Sequence, residues 1–363
     1  MRSQVAVVAE QFWHPVPGGT ARATAGTLEG LLALDRFDMV GLAARHSEHE
    51  AEELGLPIPV RHAPLPRPLL YEGWHRLGRF RVEKYLGPVD LIWAAAMVCP
   101  PKTAPMVVTV NDLEFLHHPE RLSPRGRTFF PKAWEVTRRR ADVIVCPTQL
   151  VADDVVSQGV APSMVRTVTL GVSTPDVTAQ QAADVRTRFG LPAEFALWVG
   201  TLEPRKNLAR VVEAAAAVDG LVVAFVGPDG WAIDGDDVLA PLGPRARRLG
   251  SVAEADLHAL YSAAKVFLLP SLAEGFGLPV AEAMAHGTPV VTSRGTATEE
   301  VAAGAAVLVD PLDVSSIEHG LRSLLNDDGR ASELSRLGLI RAAELTWAAT
   351  GRGYAEVFEG LLQ

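Results

Sequence analysis

Short apolar runs bounded by turn residues alternate along this chain with longer stretches of helical period, the pattern of a parallel sheet with crossover helices. In the first half these runs predict strands at 4–9, 38–43, 89–93, 106–110 and 142–146. A helix is expected from Thr20, taken as its N-cap, with Ala21, Ala25, Leu28 and Leu32 on one face. Residues 169–178, TLGVSTPDVT, break the pattern with Gly, Ser, Thr and Pro, which places a domain boundary there. The alternation then restarts, with strands expected at 195–199, 221–226, 266–270, 289–292 and 306–309. Helices are expected at 207–218, 254–263, 279–286 and 313–325. From Trp347 a last stretch keeps helical period with no strand after it.

A length of 363 residues suits two domains of about 150 to 200 residues. The expected division is 1–172 and 173–346, an α/β architecture repeated twice. The longest apolar run, LIWAAAMVC at 91–99, falls well short of the roughly 20 residues that span a bilayer. The opening MRSQVAVVAEQF runs straight into a strand, and Cys146 ends the apolar run DVIVC, where a buried free thiol is expected. A cytoplasmic protein is the expectation from these features.

The net charge of −9 argues against nucleic acid as a partner, because nonspecific binding rests on Lys and Arg neutralising phosphates. That total hides an asymmetry: residues 1–175 hold 19 basic against 18 acidic residues, and the rest hold 15 against 25. Two clusters in the first half, 67–85 and 121–140, interleave Arg with aromatics. Each reads either as a solvated face or as a surface that docks peripherally on an anionic membrane.

In open parallel sheets ligands bind beyond the carboxyl ends of the strands, so a site is expected in the loops that follow strands. After the first strand, Gly18 and Gly19 stand just before a helix, where bare backbone N–H groups and the helix dipole favour an anion such as a diphosphate. A plain tight turn accounts for two glycines equally well, and the fingerprint GxGxxG is absent. The loop GTLEPRKN, 200–207, places Arg205 and Lys206 at a helix start, where a cation is disfavoured unless an anion is close. Asn207 is expected as that helix's N-cap. Paired cations there could stabilise a departing nucleoside diphosphate without a metal ion; the alternative is two solvated surface charges.

A third loop, SLAEGFGLPVAEAMAHG, follows the strand VFLLP. Pro279 suits a first helical turn and Gly287 its end. Gly275 and Gly277 keep the loop thin, while Glu274 and Glu282, expected in the first helical turn, bracket it so that both reach one ligand. Carboxylates suit the vicinal hydroxyls of a sugar or ribose, although Glu282 alone could simply complement the helix dipole.

With these residues assembled, the chain resembles the retaining glycosyltransferases of family 4, whose fold is GT-B. EGFGLPVAE matches the family's E-x7-E signature; VGTLEPRKN, PSLAEGFGLPVAEAMAHGTPVV and the final TWAAT...Y match neighbouring segments in order and spacing, as do PGGT and VNDLEFLHHPE in the first half. The resemblance implies two Rossmann-like domains with parallel sheets facing across a cleft, and a C-terminal helix, 347–363, crossing back onto the first, acceptor-binding domain. It implies that Arg205 and Lys206 bind the donor diphosphate, that Glu274 contacts hydroxyls of the donor sugar, and that Glu282 holds the ribose. Gly18, Gly19 and Gly200 would lie near the donor, with Gly275, Phe276, Gly277 and Leu278 offering contacts around it. Asn111 and Asp112 would face the sugar or acceptor side. No metal and no cofactor are expected beyond the nucleotide sugar itself as co-substrate.

Two positions depart from the family pattern. Asn111 precedes Asp112 where a histidine is usual, and Trp93 stands where a histidine is common. His14, His117 and His118 lie near the expected cleft, where structural or surface roles are the commoner case. The implied reaction retains anomeric configuration and moves a hexose to a saccharide or lipid-linked acceptor in glycan or glycolipid biosynthesis. The form GTLEPRKN resembles mannosyltransferase-like members, implying guanosine diphosphate mannose as donor. Two rival readings are a sugar-nucleotide epimerase on the same architecture and a two-lobed sugar-binding protein; the latter predicts a leader peptide and needs no cationic pair at a helix start.

Overall fold

The computed structural model describes residues 2–13, 18–46 and 56–363. It divides into two compact units, one of residues up to Gly171 together with Thr346–Gln363, the other Val172–Leu345.

Among the described residues the first unit is built on seven strands: β1 (Ser3–Val8), β2 (Phe37–Ala43), β3 (Val60–His62), β4 (Leu91–Ala94), β5 (Met106–Thr109), β6 (Val143–Cys146) and β7 (Val165–Thr167). They form one parallel sheet in the order β3-β2-β1-β4-β5-β6-β7. Both faces of its central strands are covered, which explains their continuous apolar runs. Side chains alternate sides along β1: Val5 and Val7 enter a cluster with Trp93, Tyr354 and Phe358, while Ala6 and Val8 join Leu42, Ile92, Trp74 and Trp134 on the other face.

The helix Gly18–Leu32 opens two residues earlier than expected, so Thr20 lies inside its first turn rather than at the cap. Against it packs the last helix, Trp347–Leu362, whose N-cap Thr346 accepts from the Ala349 N–H at 3.1 Å. The approach is close because a Cβ on Gly30 would lie 2.0 Å from the Trp347 carbonyl oxygen, and one on Gly351 would lie 2.2 Å from the Gly30 carbonyl carbon. The Trp93 indole N–H donates to Thr109 Oγ1 at 3.0 Å, and that hydroxyl is 2.8 Å from Tyr354 Oη, so the last helix is tied to β4 and β5 by a buried polar chain.

The second unit has six strands: β8 (Ala196–Val199), β9 (Val223–Val226), β10 (Ala246–Gly250), β11 (Val266–Leu269), β12 (Val290–Ser293) and β13 (Val307–Val309). These also form one parallel sheet, ordered β10-β9-β8-β11-β12-β13. Strand order reverses between β1 and β4 in one sheet and between β8 and β11 in the other, and such reversal points are where doubly wound folds bind ligands.

The pattern of apolar runs located ten of these strands and missed β3, β7 and β10. All three are sheet edges with partly or wholly exposed residues, and so lack the buried run that signals a strand. The helix Asp328–Glu344 was missed for a related reason: its buried residues are Ala331, Gly338 and Ala342, too small to make an apolar stripe. Among the described residues no helix is long and apolar enough to cross a membrane.

Candidate functional site

The loops after β8 and β11, neighbours at the reversal point of the second unit, are joined at backbone level by the Leu272 N–H donating to the Arg205 carbonyl at 2.8 Å. This clip sets the side chains of the two loops against each other. Lys206 Nζ donates to Glu274 Oε1 at 2.6 Å, and Arg205 Nη1 donates to Glu274 Oε2 at 2.9 Å. Ser271 Oγ adds a third donor to Glu274 at 2.7 Å, and Arg205 Nη2 reaches Glu203 Oε1 at 2.8 Å. Glu203, Lys206 and Glu274 are all buried, and the Arg205 side chain is 23% exposed.

Burial alone would raise the Glu274 carboxyl; the Lys206 and Arg205 charges and the Lys206 and Ser271 hydrogen bonds override it and hold the group down at about 2. Glu274 is therefore an acceptor-only carboxylate at neutral pH. The expectation that Arg205 and Lys206 call for an anion is met within the chain: two cations face two carboxylates, and the cluster balances its own charge.

Glu282 has different partners. It lies in the second turn of the helix Leu278–Ala285 rather than the first, is 2% exposed, and its Oε2 accepts from Tyr261 Oη at 2.9 Å. The connecting residues Gly275, Phe276, Gly277 and Leu278 are all buried. Gly277 takes φ +93°, and a Cβ there would lie 2.6 Å from Thr298 Cγ2, so neither backbone nor space admits another residue without strain.

Asn207 does not cap the helix Leu208–Ala216 with its side chain. With φ +59° its amide instead donates to the carbonyls of Pro270 at 2.9 Å and Pro311 at 2.6 Å, tying together the loops after β8, β11 and β13. A cap was expected from local spacing; a brace between distant loops is what the fold makes of the residue.

A family model for glycosyl transferases group 1 matches residues 181–339, and one for glycosyltransferase family 4 matches residues 17–175. The chain belongs to glycosyltransferase family 4. It is 40% identical over 165 residues to O-antigen chain mannosyltransferase B of Escherichia coli, a match covering 42% of each chain. To the serotype-specific mannosyltransferase WbdA of the same species it is 29% identical over 295 residues, which is 76% of this chain and 34% of that one. The chain thus spans less than half the length of these two relatives. The structure of Anabaena Alr3699/HepE, solved with UDP and glucose, superposes with a TM-score of 0.78 at 17% identity over 99% of this chain and all of that one. This likeness shows a GT-B fold.

In the first unit of this family 4 glycosyltransferase, Gly18 and Gly19 are exposed at the start of their helix, Gly18 with φ +59°. Asn111, half-buried after β5, donates from Nδ2 to Thr20 Oγ1 at 3.4 Å and so lies beside that helix start. Asp112 Oδ1 accepts from the Glu114 N–H at 3.2 Å, a local turn contact. Trp93, by contrast, is fully buried under the last helix, and its departure from the family pattern is a matter of core packing. His117 and His118 pair at the surface with Asp154 and Glu120, and His14 lies outside the described residues.

The two basic clusters meet. Tyr71 and His75, on the helix Arg67–His75, stack on Phe129 of the helix Pro124–Arg140 at centroid distances of 5.8 and 5.6 Å. Arg76, Arg79, Arg81, Lys84, Arg125 and Arg127 remain exposed, with Leu69 and Leu77 exposed near them in sequence. Arg140 is structural, donating to the carbonyls of Cys99 and Trp74 at 2.8 and 2.9 Å.

Three residues that the sequence did not single out complete this group of contacts. Glu203 and Ser271 lay inside quoted motifs, where only their burial marks them. Tyr261 sits on the separate helix Glu254–Ala263 and had no local signal.

Proposed function

We propose that the chain is a retaining, metal-independent hexosyltransferase that moves mannose from guanosine diphosphate mannose to a saccharide acceptor. The observation that carries this reading is the self-neutralised cluster of Arg205, Lys206, Glu203 and Glu274 at the ends of β8 and β11. A nucleoside diphosphate would compete with Glu274 for the two cations, and the displaced carboxylate oxygens would accept hydrogen bonds from the donor sugar's hydroxyls. Lys206 and Arg205 would then face the charge that grows on the phosphate as the glycosidic bond breaks, the role a metal ion fills elsewhere. Glu282, held by Tyr261, would take the ribose.

In this reading the acceptor hydroxyl attacks the anomeric carbon on the face from which the diphosphate departs. The new carbon–oxygen bond forms as the carbon–phosphate-oxygen bond breaks, and the hydroxyl proton passes to the departing phosphate oxygen. The GTLEPRKN form and the similarity to named mannosyltransferases support the sugar. The joined basic helices of the first unit, with Leu69 and Leu77 exposed, support peripheral docking on an anionic membrane and hence a lipid-linked acceptor.

Nucleotide release measured over a panel of sugar donors, with and without methyl α-mannoside and with and without chelator, tests the proposal. Acceptor-dependent release from guanosine diphosphate mannose, unaffected by chelator, is the expected result. Conversion of the donor without acceptor would favour an epimerase, and loss of release with chelator would overturn the metal-free assignment.

A further inference from the structure

A second polar cluster lies at the carboxyl ends of β1, β2 and β3, which are adjacent in the first sheet. Glu10 begins the short turn after β1, His46 follows β2, His62 ends β3 and Arg67 begins the next helix. The Glu10 carboxylate is 1% exposed and accepts from the Ala44 N–H at 2.7 Å and from His46 Nε2 at 3.0 Å, with Arg67 Nε 3.9 Å away. Trp13 stacks on His46 at 4.7 Å between centroids and meets His62 edge-on at 5.3 Å. His62 Nδ1 donates to the Ala44 carbonyl at 2.8 Å.

Setting a buried carboxylate against a half-buried guanidinium and two half-buried imidazoles costs stability, and packing alone does not call for it. Two donors in the cluster are also left over: among the described residues, Trp13 Nε1 and Arg67 Nη1 are buried without a hydrogen-bond partner. The cluster is reachable at its rim, since the His46 and Arg67 side chains are 17% and 25% exposed.

We propose that this cluster binds a neutral hexose ring of the acceptor saccharide. The chemistry of its free groups selects the ligand. In the tautomer that gives Nε2–H to Glu10, His46 carries its lone pair on Nδ1; in the one that gives Nδ1–H to the Ala44 carbonyl, His62 carries it on Nε2. The site therefore presents donors on Trp13 and Arg67 and acceptors on the two imidazoles. A hydroxyl both donates and accepts and can meet this mixture, whereas a phosphate or carboxylate only accepts. Glu10 also cancels the charge of Arg67, which removes the excess positive charge an anion needs.

This inference rests on the glycosyltransferase reading for the word acceptor, but not for the binding itself. Saturation-transfer NMR on the full chain with methyl α-mannoside and methyl α-galactoside, each up to about 20 mM, is expected to show binding of at least one in the weak range usual for single sugars. Trp13→Phe keeps a ring while removing the indole N–H, and Arg67→Gln removes the guanidinium; each is expected to weaken binding about tenfold, the loss of one hydrogen-bond partner in a semi-buried site. Urea midpoints of both variants establish that they fold, and a His46→Asn variant serves if either does not. Binding unchanged in the folded variants, no binding to the wild-type chain, or preference for a methyl glucuronide over both neutral glycosides would overturn the proposal. In transfer assays the same variants are expected to raise the acceptor KM by a similar factor of about ten. Transfer with an unaltered acceptor KM sinks this site alone, whereas sugar binding without transfer from any donor sinks the proposed reaction and leaves the site standing.

Discussion

Lys206 Nζ and Glu274 Oε1 lie 2.6 Å apart across 68 residues of sequence, in a buried cluster that also takes in Arg205. The two cations are thus already matched by a carboxylate, and in the proposed reaction a donor exchanges places with it. Replacing Glu274 by Gln removes the competing charge. Guanosine diphosphate is expected to bind more tightly to this variant, while transfer falls about a hundredfold for want of the sugar contact. Calorimetric nucleotide binding alongside steady-state rates checks both directions; weaker nucleotide binding would contradict the exchange.

The same carboxyl makes stability depend on pH. It titrates at about 2 in the folded chain against an ordinary 4.5, so the folded state binds fewer protons between those values. Its contribution is complete above about pH 4.5 and is lost as pH falls towards about 2, amounting to roughly 3 kcal/mol. Urea unfolding between about pH 7 and about pH 3 should show part of this loss in the wild-type chain and a flatter profile in Glu274→Gln. Equal slopes would show that the Lys206 and Arg205 contacts do not hold the carboxyl down.

Tyr261 fixes one oxygen of Glu282. Tyr261→Phe keeps the ring packed in the core and removes only the hydroxyl, so the donor KM is expected to rise about fivefold with kcat nearly unchanged, the effect of one hydrogen bond worth about 1 kcal/mol. A fall in kcat at constant KM would place Tyr261 in the chemical step rather than in donor binding.

Gly277 combines a left-handed backbone with a side-chain contact that leaves no room. Gly277→Ala is expected to destabilise the fold by about 2–4 kcal/mol, the sum of the backbone penalty and local overpacking. A thermal melt unchanged from wild type would show that the loop relaxes freely.

In the first unit, Tyr354→Phe removes one of the two contacts to Thr109 Oγ1 while leaving the Trp93 N–H in place. The loss expected in urea unfolding is about 1 kcal/mol. A loss several times larger would mean that the polar chain, rather than the apolar face of the last helix, governs its docking.

Much of this was legible in the chain before any coordinates. Central strands such as VAVV and VFLL are buried on both faces, so their signal is continuous and local. The cationic pair in GTLEPRKN and the carboxylates in EGFGLPVAE were visible for the same reason: chemistry concentrated in a few adjacent positions at strand ends. Edge strands β3, β7 and β10 were not, because half of each faces solvent.

Residue types and their spacing therefore determined the α/β class, the loops that carry chemistry and the family. Only the tertiary structure decided which groups meet. It matched Arg205 and Lys206 to Glu274, gave Glu282 to Tyr261, turned Asn207 from a helix cap into a brace across three loops, and gathered Glu10, Trp13, His46 and Arg67 at one end of a sheet. The physical reason is that local pattern reports how a segment is buried, whereas charge compensation and hydrogen bonding depend on partners brought close by the sheet order.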